Sequence, residues 1–92
     1  MARRQQRRPA FRQPRPQQDR AEEEARLDAG ARRLLGHYDP QAIERMIGDL
    51  RLLRDEADRI AYEQPSPDSL QRYRRAAREL AEAERALNLS SR

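Results

Sequence analysis

Residues 39–87 read DPQAIERMIGDLRLLRDEADRIAYEQPSPDSLQRYRRAARELAEAERAL, and the fold is decided inside that stretch. In its first half Ile43, Leu50 and Ala57 fall on one heptad position and Met46, Leu53 and Ile60 on another, a spacing that predicts a helix over 40–63. Asp39 can cap the free N–H groups of the first turn, and Pro40 takes the first helical position, where no N–H is needed. Gln64-Pro65-Ser66-Pro67 ends the pattern, and Ser66 with Pro67 repeats the cap-plus-proline device. A further helix over 67–87 carries Leu70, Tyr73, Ala77, Leu80 and Leu87 as its stripe, with Glu84 interrupting it and Ala83 beside it.

So short a loop makes the two helices antiparallel neighbours. Facing them across the turn sets Ile60 against Leu70, Ala57 against Tyr73, Leu53 against Ala77, Leu50 against Leu80 and Ile43 against Leu87. Large residues meet small ones, as close packing requires. These residues, with Met46, form the expected helical seam. The charges add a weak, salt-screened preference for the same arrangement: Arg72, Arg74, Arg75 and Arg78 lie level with Asp55, Glu56 and Asp58. Pairs at i,i+4, Arg54 with Asp58 and Asp55 with Arg59, are expected on the solvated face.

Working outward toward the N-terminus, Asp19-Arg20-Ala21-Glu22 has capping-box form and predicts a first helix over 20–35, stopped at Gly36. Leu27, Ala31, Leu34 and Tyr38 give it one apolar stripe. The seam alone makes a thin core, so this helix folds onto the hairpin, or two chains associate. The expected fold is therefore all-α: a small three-helix bundle built on an antiparallel helical hairpin over 19–92, preceded by a disordered basic arm over 1–18.

The arm is set apart by charge. Residues 1–20 hold seven arginines and one acid, a net of about +6, whereas 21–92 hold thirteen arginines and fifteen acids, a net of about −2, which together make the +4 of the whole chain. Proline and glutamine fill the rest of the arm and favour extended conformations. All twenty basic residues are arginine, which fits either phosphate recognition or the codon bias of a GC-rich genome. With no cysteine there is neither a disulfide framework nor a thiolate metal site, and a cytoplasmic location is expected. No apolar run approaches a membrane span, the N-terminus lacks a signal peptide's apolar stretch, and Pro9, Pro14 and Pro16 spoil the amphipathic helix of a transit peptide.

Chemistry is sparsely signalled. His37 is the single histidine and has no partners at helical ligand spacing, so it makes neither a zinc site nor an acid–base dyad; it reads as a helix-end residue near the last carbonyls. There is no glycine-rich phosphate loop, nucleophile elbow or metalloprotease motif, so no catalytic residue, metal or cofactor is implied. The expected function is a non-enzymatic interaction or scaffold protein whose seam docks a partner or a second copy. A nucleic-acid-binding accessory role is the alternative. Arg3, Arg4, Arg7, Arg8, Arg12 and Arg15 would neutralise phosphates, and Phe11 would stack one base. The arm otherwise reads as a solubilising extension. Contact with an anionic membrane surface is a third option, without an amphipathic helix to support it. Arg72, Arg74, Arg75 and Arg78 extend the basic patch or form a solvated helix face.

Arg54-Asp55-Glu56-Ala57-Asp58-Arg59-Ile60, followed by Pro65-Ser66-Pro67-Asp68-Ser69-Leu70-Gln71-Arg72-Tyr73-Arg74-Arg75, resembles the C-terminal part of the bacterial YaaR family. The resemblance spans about half of the chain. It implies a small all-helical protein of interaction type, with a Pro/Ser turn and an aromatic-basic pair opening the last helix, and it implies no catalytic residues. Three features depart from the family pattern, the first being that the chain is short. Asp58 follows the small residue after the acidic pair, and Ala81, Ala83 and Ala86 replace a bulky apolar run.

Overall fold

Three prolines open three helices. In the computed structural model, which describes residues 16–91, α1 spans Pro16–Leu35, α2 spans Pro40–Glu63 and α3 spans Pro67–Ser90, with no strand among the described residues. The expected all-α, three-helix architecture on a helical hairpin is what the chain adopts. Residues 1–15, which carry most of the basic arm, lie outside the described residues, as does Arg92.

The start of α1 corrects the sequence reading. Asp19 sits inside the first turn rather than capping it, and the helix opens at Pro16 rather than at the expected Arg20. Pro16 is the reason: its fixed φ suits a first helical position, the same device that Pro40 and Pro67 supply to α2 and α3. At the other end the helix stops at Leu35, and the Gly36 N–H turns back to the carbonyls of Arg32 and Arg33 at 3.1 and 3.2 Å. α3 runs three residues further than expected, to Ser90.

Both hairpin helices are capped from the sequence. Asp39 Oδ1 accepts the Ala42 N–H at 2.8 Å. At α3 the device is reciprocal: Ser66 Oγ accepts the Ser69 N–H, and Ser69 Oγ accepts the Ser66 N–H, both at 3.0 Å. Ser69 is 6% exposed, a polar side chain in an apolar seam, and its oxygen also lies 3.0 Å from the Gln64 carbonyl, to which its hydroxyl can donate. Its hydrogen-bonding capacity is met, which is what makes its burial tolerable.

Which faces meet follows the true helical period. Over 18 residues a straight helix completes five turns, so residues at i, i+4, i+7, i+11, i+14 and i+18 stay on one side. On α2 those are Ile43, Ile47, Leu50, Arg54, Ala57 and Ala61; on α3 they are Ser69, Tyr73, Ala76, Leu80, Ala83 and Leu87. All twelve are buried or half-buried. Ile43, Leu50 and Leu80 stand at the centre as the heptad reading expects, and Met46, Ala57, Ile60, Tyr73, Ala77 and Leu87 are partly covered. Leu53 and Leu70 are not: they are 58% and 41% exposed. A heptad line drifts by about 20° per seven residues around an unsupercoiled helix. Ile47, only 6% exposed, therefore takes the place that the heptad gives to Met46, and the Arg54 stem takes that of Leu53. Ser69 displaces Leu70 in the same way.

α3 is the middle helix. α1 and α2 each pack along it and barely touch each other. The shared core lies toward the C-terminal half of α3, where Ala31 of α1 and Ile43, Ile47 and Leu50 of α2 converge with Leu80, Ala83 and Ala86 of α3. Leu34, Leu35, Met46, Leu87 and Leu89 close its edges. Alanine supplies three of its seven members, and those three are fully buried because small side chains let helices approach closely. Tyr38, expected on the α1 stripe, is largely exposed beyond the end of that helix.

Candidate interaction surfaces

The exposed leucines mark the first candidate. Leu53, Ala57 and Ile60 of α2 face Ser69 of α3 around a shallow groove of about 180 Å³, rimmed by Glu56 and Arg72. The rim charges already have partners. Glu56 receives Arg59 at 2.7 Å, Arg59 also reaches Glu63 at 3.1 Å, and Arg72 lies 3.3 Å from Asp68. The groove thus presents an apolar floor beside ion pairs satisfied within their own helices. α1 packs toward the other end of α3, so the hairpin tip is two helices thick.

Those pairs differ in detail from the expected ones. Arg59 chooses Glu56 and Glu63 rather than Asp55, and Arg54 turns to its neighbour Asp55 at 3.1 Å rather than to Asp58. Glu63 offers Arg59 a second carboxylate one turn on, and Arg54 has its stem drawn into the seam, which limits its reach. Between the helices Arg51 meets Glu84 at 3.2 Å, an exposed bridge consistent with the antiparallel register near the core. The glutamate that interrupts the α3 stripe in sequence is the partner of that bridge.

At the α1–α3 junction Arg85 is held by two acids of α1, Glu24 and Asp28. The two acids lie one turn apart, so both carboxylates reach one guanidinium. The Glu24 hydrogen bond above all raises the Arg85 pKa beyond its already high ordinary value, against a smaller opposing effect of burial. A raised folded-state pKa contributes stability below the ordinary guanidinium value and loses it only above, so the Arg85 guanidinium stays charged across the working range of pH. One turn away a Cβ on Gly30 of α1 would run into the Glu82 side chain of α3.

A further face of α3 is basic. Gln71, Arg74, Arg75 and Arg78 surround an open groove of about 230 Å³, and none of these arginines has a carboxylate within salt-bridge reach among the described residues. Arg72, grouped with them in sequence, instead pairs with Asp68. The side-chain ring of His37 lies 2.9 Å from the Arg33 carbonyl through Nδ1, which donates there. No group of three or more metal-ligating side chains occurs among the described residues, and no described helix is long and apolar enough to cross a membrane. Arg3, Arg4, Arg7, Arg8, Phe11, Arg12 and Arg15 of the arm lie outside the described residues.

Comparison with family models, with curated proteins and with solved structures finds no match to this chain.

Proposed function

We propose that this chain is a non-enzymatic helical interaction module that associates with a second copy of itself, or docks another helical protein, through the strip at the hairpin tip. The observation that carries this reading is Leu53, 58% exposed on the heptad line between the half-buried Met46 and Ile60. A line of apolar residues at heptad spacing, with its central member in water, is half of a helix–helix seam. Ala57 and Ile60 on the groove floor widen the same patch, and the rim pairs leave no bare charge to be desolvated when a helix lies over it.

Sedimentation of the full chain over a hundredfold dilution tests this. Self-association predicts a mass that falls on dilution, and Leu53→Glu keeps the helical content while holding the mass at the monomer value. If the native chain is a monomer throughout, and cross-linking to a co-purified helical protein is no weaker in Leu53→Glu than in the native chain, the strip is not a docking surface.

A further inference from the structure

α3 carries a second stripe with the true helical period, formed by Gln71, Arg75, Arg78, Glu82, Arg85 and Leu89, on a face other than the one that meets α2. Its C-terminal half is covered by α1. There Arg85 takes the carboxylates of Glu24 and Asp28, Glu82 lies against Gly30, and Ala31 and Ala86 are fully buried beside them. Its N-terminal half, with Arg74 alongside, is bare.

We infer that this bare half, Arg74, Arg75 and Arg78 with Gln71, binds the phosphate backbone of a nucleic acid.

The first ground is the local charge pattern. Arg74 and Arg78 are spaced i,i+4 and Arg75 and Arg78 i,i+3, so like charges repel across one turn, a small but real cost to an isolated helix. Elsewhere some arginines are answered locally, since Arg26 meets Glu22 and Glu23, Arg59 meets Glu56 and Glu63, and Arg72 meets Asp68, while Arg20, Arg32, Arg33 and Arg45 form no such pair among the described residues; what marks α3 is three unpaired arginines around one groove. Arg74 has no acid three or four residues away on either side. Arg75 has Glu79 and Arg78 has Glu82 one turn on, yet neither pair forms, and the Glu82 side chain lies over Gly30. An external anion would relieve what the helix leaves unbalanced.

The second ground separates phosphate from an acidic protein helix. Where α3 holds a helix along this stripe, it does so with apolar burial as well as charge, since Leu89 packs against the core cluster that holds Ala31 and Ala86. No apolar side chain lines the groove on the bare half, which is formed by Gln71 and three arginines, with Leu70 outside it one turn before Arg74. Guanidinium forks on phosphate oxygens need no apolar floor, and three of them lie within about one helical turn, or ~6 Å of axis. No aromatic side chain lines the groove, so binding is read from the backbone rather than from base stacking and is indifferent to sequence. The arm's arginines, on the same chain, add to the attraction of a long polyanion.

The experiment is fluorescence anisotropy with a labelled mixed-sequence oligonucleotide, single-stranded in one series and duplex in the other, titrated with the full chain across a range of salt. Three phosphate contacts contribute about 2–3 to the slope of log K against log salt, so the variant Arg74→Gln/Arg75→Gln/Arg78→Gln is expected to lose that much slope and about tenfold or more in affinity at low salt. The single-strand and duplex series tell which form the groove prefers. A second full-chain variant, with Arg3, Arg4, Arg7 and Arg8 all changed to Gln, should retain the share of slope owed to α3. All three side chains are exposed, so circular dichroism should show the fold intact. Unchanged slope and affinity in the α3 variant would overturn the inference. So would displacement of the oligonucleotide by polyglutamate of equal charge at equal concentration, which would assign the groove to an acidic protein.

Discussion

The two ends of the α2–α3 hairpin are built from the same kinds of residue and meet different fates. At the end near the α2 N-terminus, Ile43, Ile47 and Leu50 face Leu80 and Ala83, and α1 closes over the far side of α3 through Ala31 and the Arg85 clamp. At the tip, Leu53, Ile60 and Leu70 have sequence hydrophobicity as high, yet two helices share their burial where three share it at the other end. Apolar residues are covered by what reaches them, and α1 reaches only half of α3. The same division explains the second stripe of α3, which is an interface at one end and bare arginine at the other.

That contrast can be tested by substitution. The largest effect should come from Leu80→Ala, which opens a cavity in the three-helix end and should cost about 2–4 kcal/mol in urea denaturation. A small loss there would mean the core relaxes and the two ends are equivalent. Next, Ser66→Ala removes the cap of α3 and one partner of the buried Ser69, for an expected loss of about 1–2 kcal/mol against about 1 for Asp39→Ala, whose site is exposed. The glycines sharpen the comparison further. Gly48 has nothing within reach of a new Cβ, so Gly48→Ala should stabilise α2 by about 0.5–1 kcal/mol. Gly30→Ala should show that gain only when Glu82→Ala clears its path. Least of all, Leu53→Ala should change the stability of the isolated monomer by under about 0.5 kcal/mol, and a loss comparable to that of Leu80→Ala would show the tip to be covered.

The helix boundaries that prolines announce were legible. Asp39-Pro40 and Ser66-Pro67 place two helix starts to the residue because cap and ring act locally, whatever the rest of the chain does. Pro16 gives the same signal, masked by the glutamines and arginines around it, which share the composition of the arm. Burial was harder to read, because it depends on which helix arrives where. Ile47 and Leu53 are equally apolar and six residues apart; the 3.6-residue period puts one in the seam and the other in water. Nothing local separates Ala83 and Ala86, which are buried, from exposed alanines such as Ala21 and Ala25. Ser69 had a readable signal, a hydroxyl three residues after a serine cap, in a position where glutamate or glutamine is usual. The unpaired state of Arg74, Arg75 and Arg78 was half visible: the missing acid around Arg74 is in the sequence, while the diversion of Glu82 toward Gly30 is a property of the α1–α3 approach.

The central place of α3 bears on how the chain acquires its shape as it is made. α1 and α2 are synthesised first and have almost no surface in common, so on leaving the ribosome each waits as a lone, marginal helix. The keystone comes last, and when it emerges both neighbours find their places at once. A ribosome paused before Pro67 should therefore display a protease-sensitive nascent chain, and one paused beyond Ser90, with the exit tunnel cleared, a resistant one.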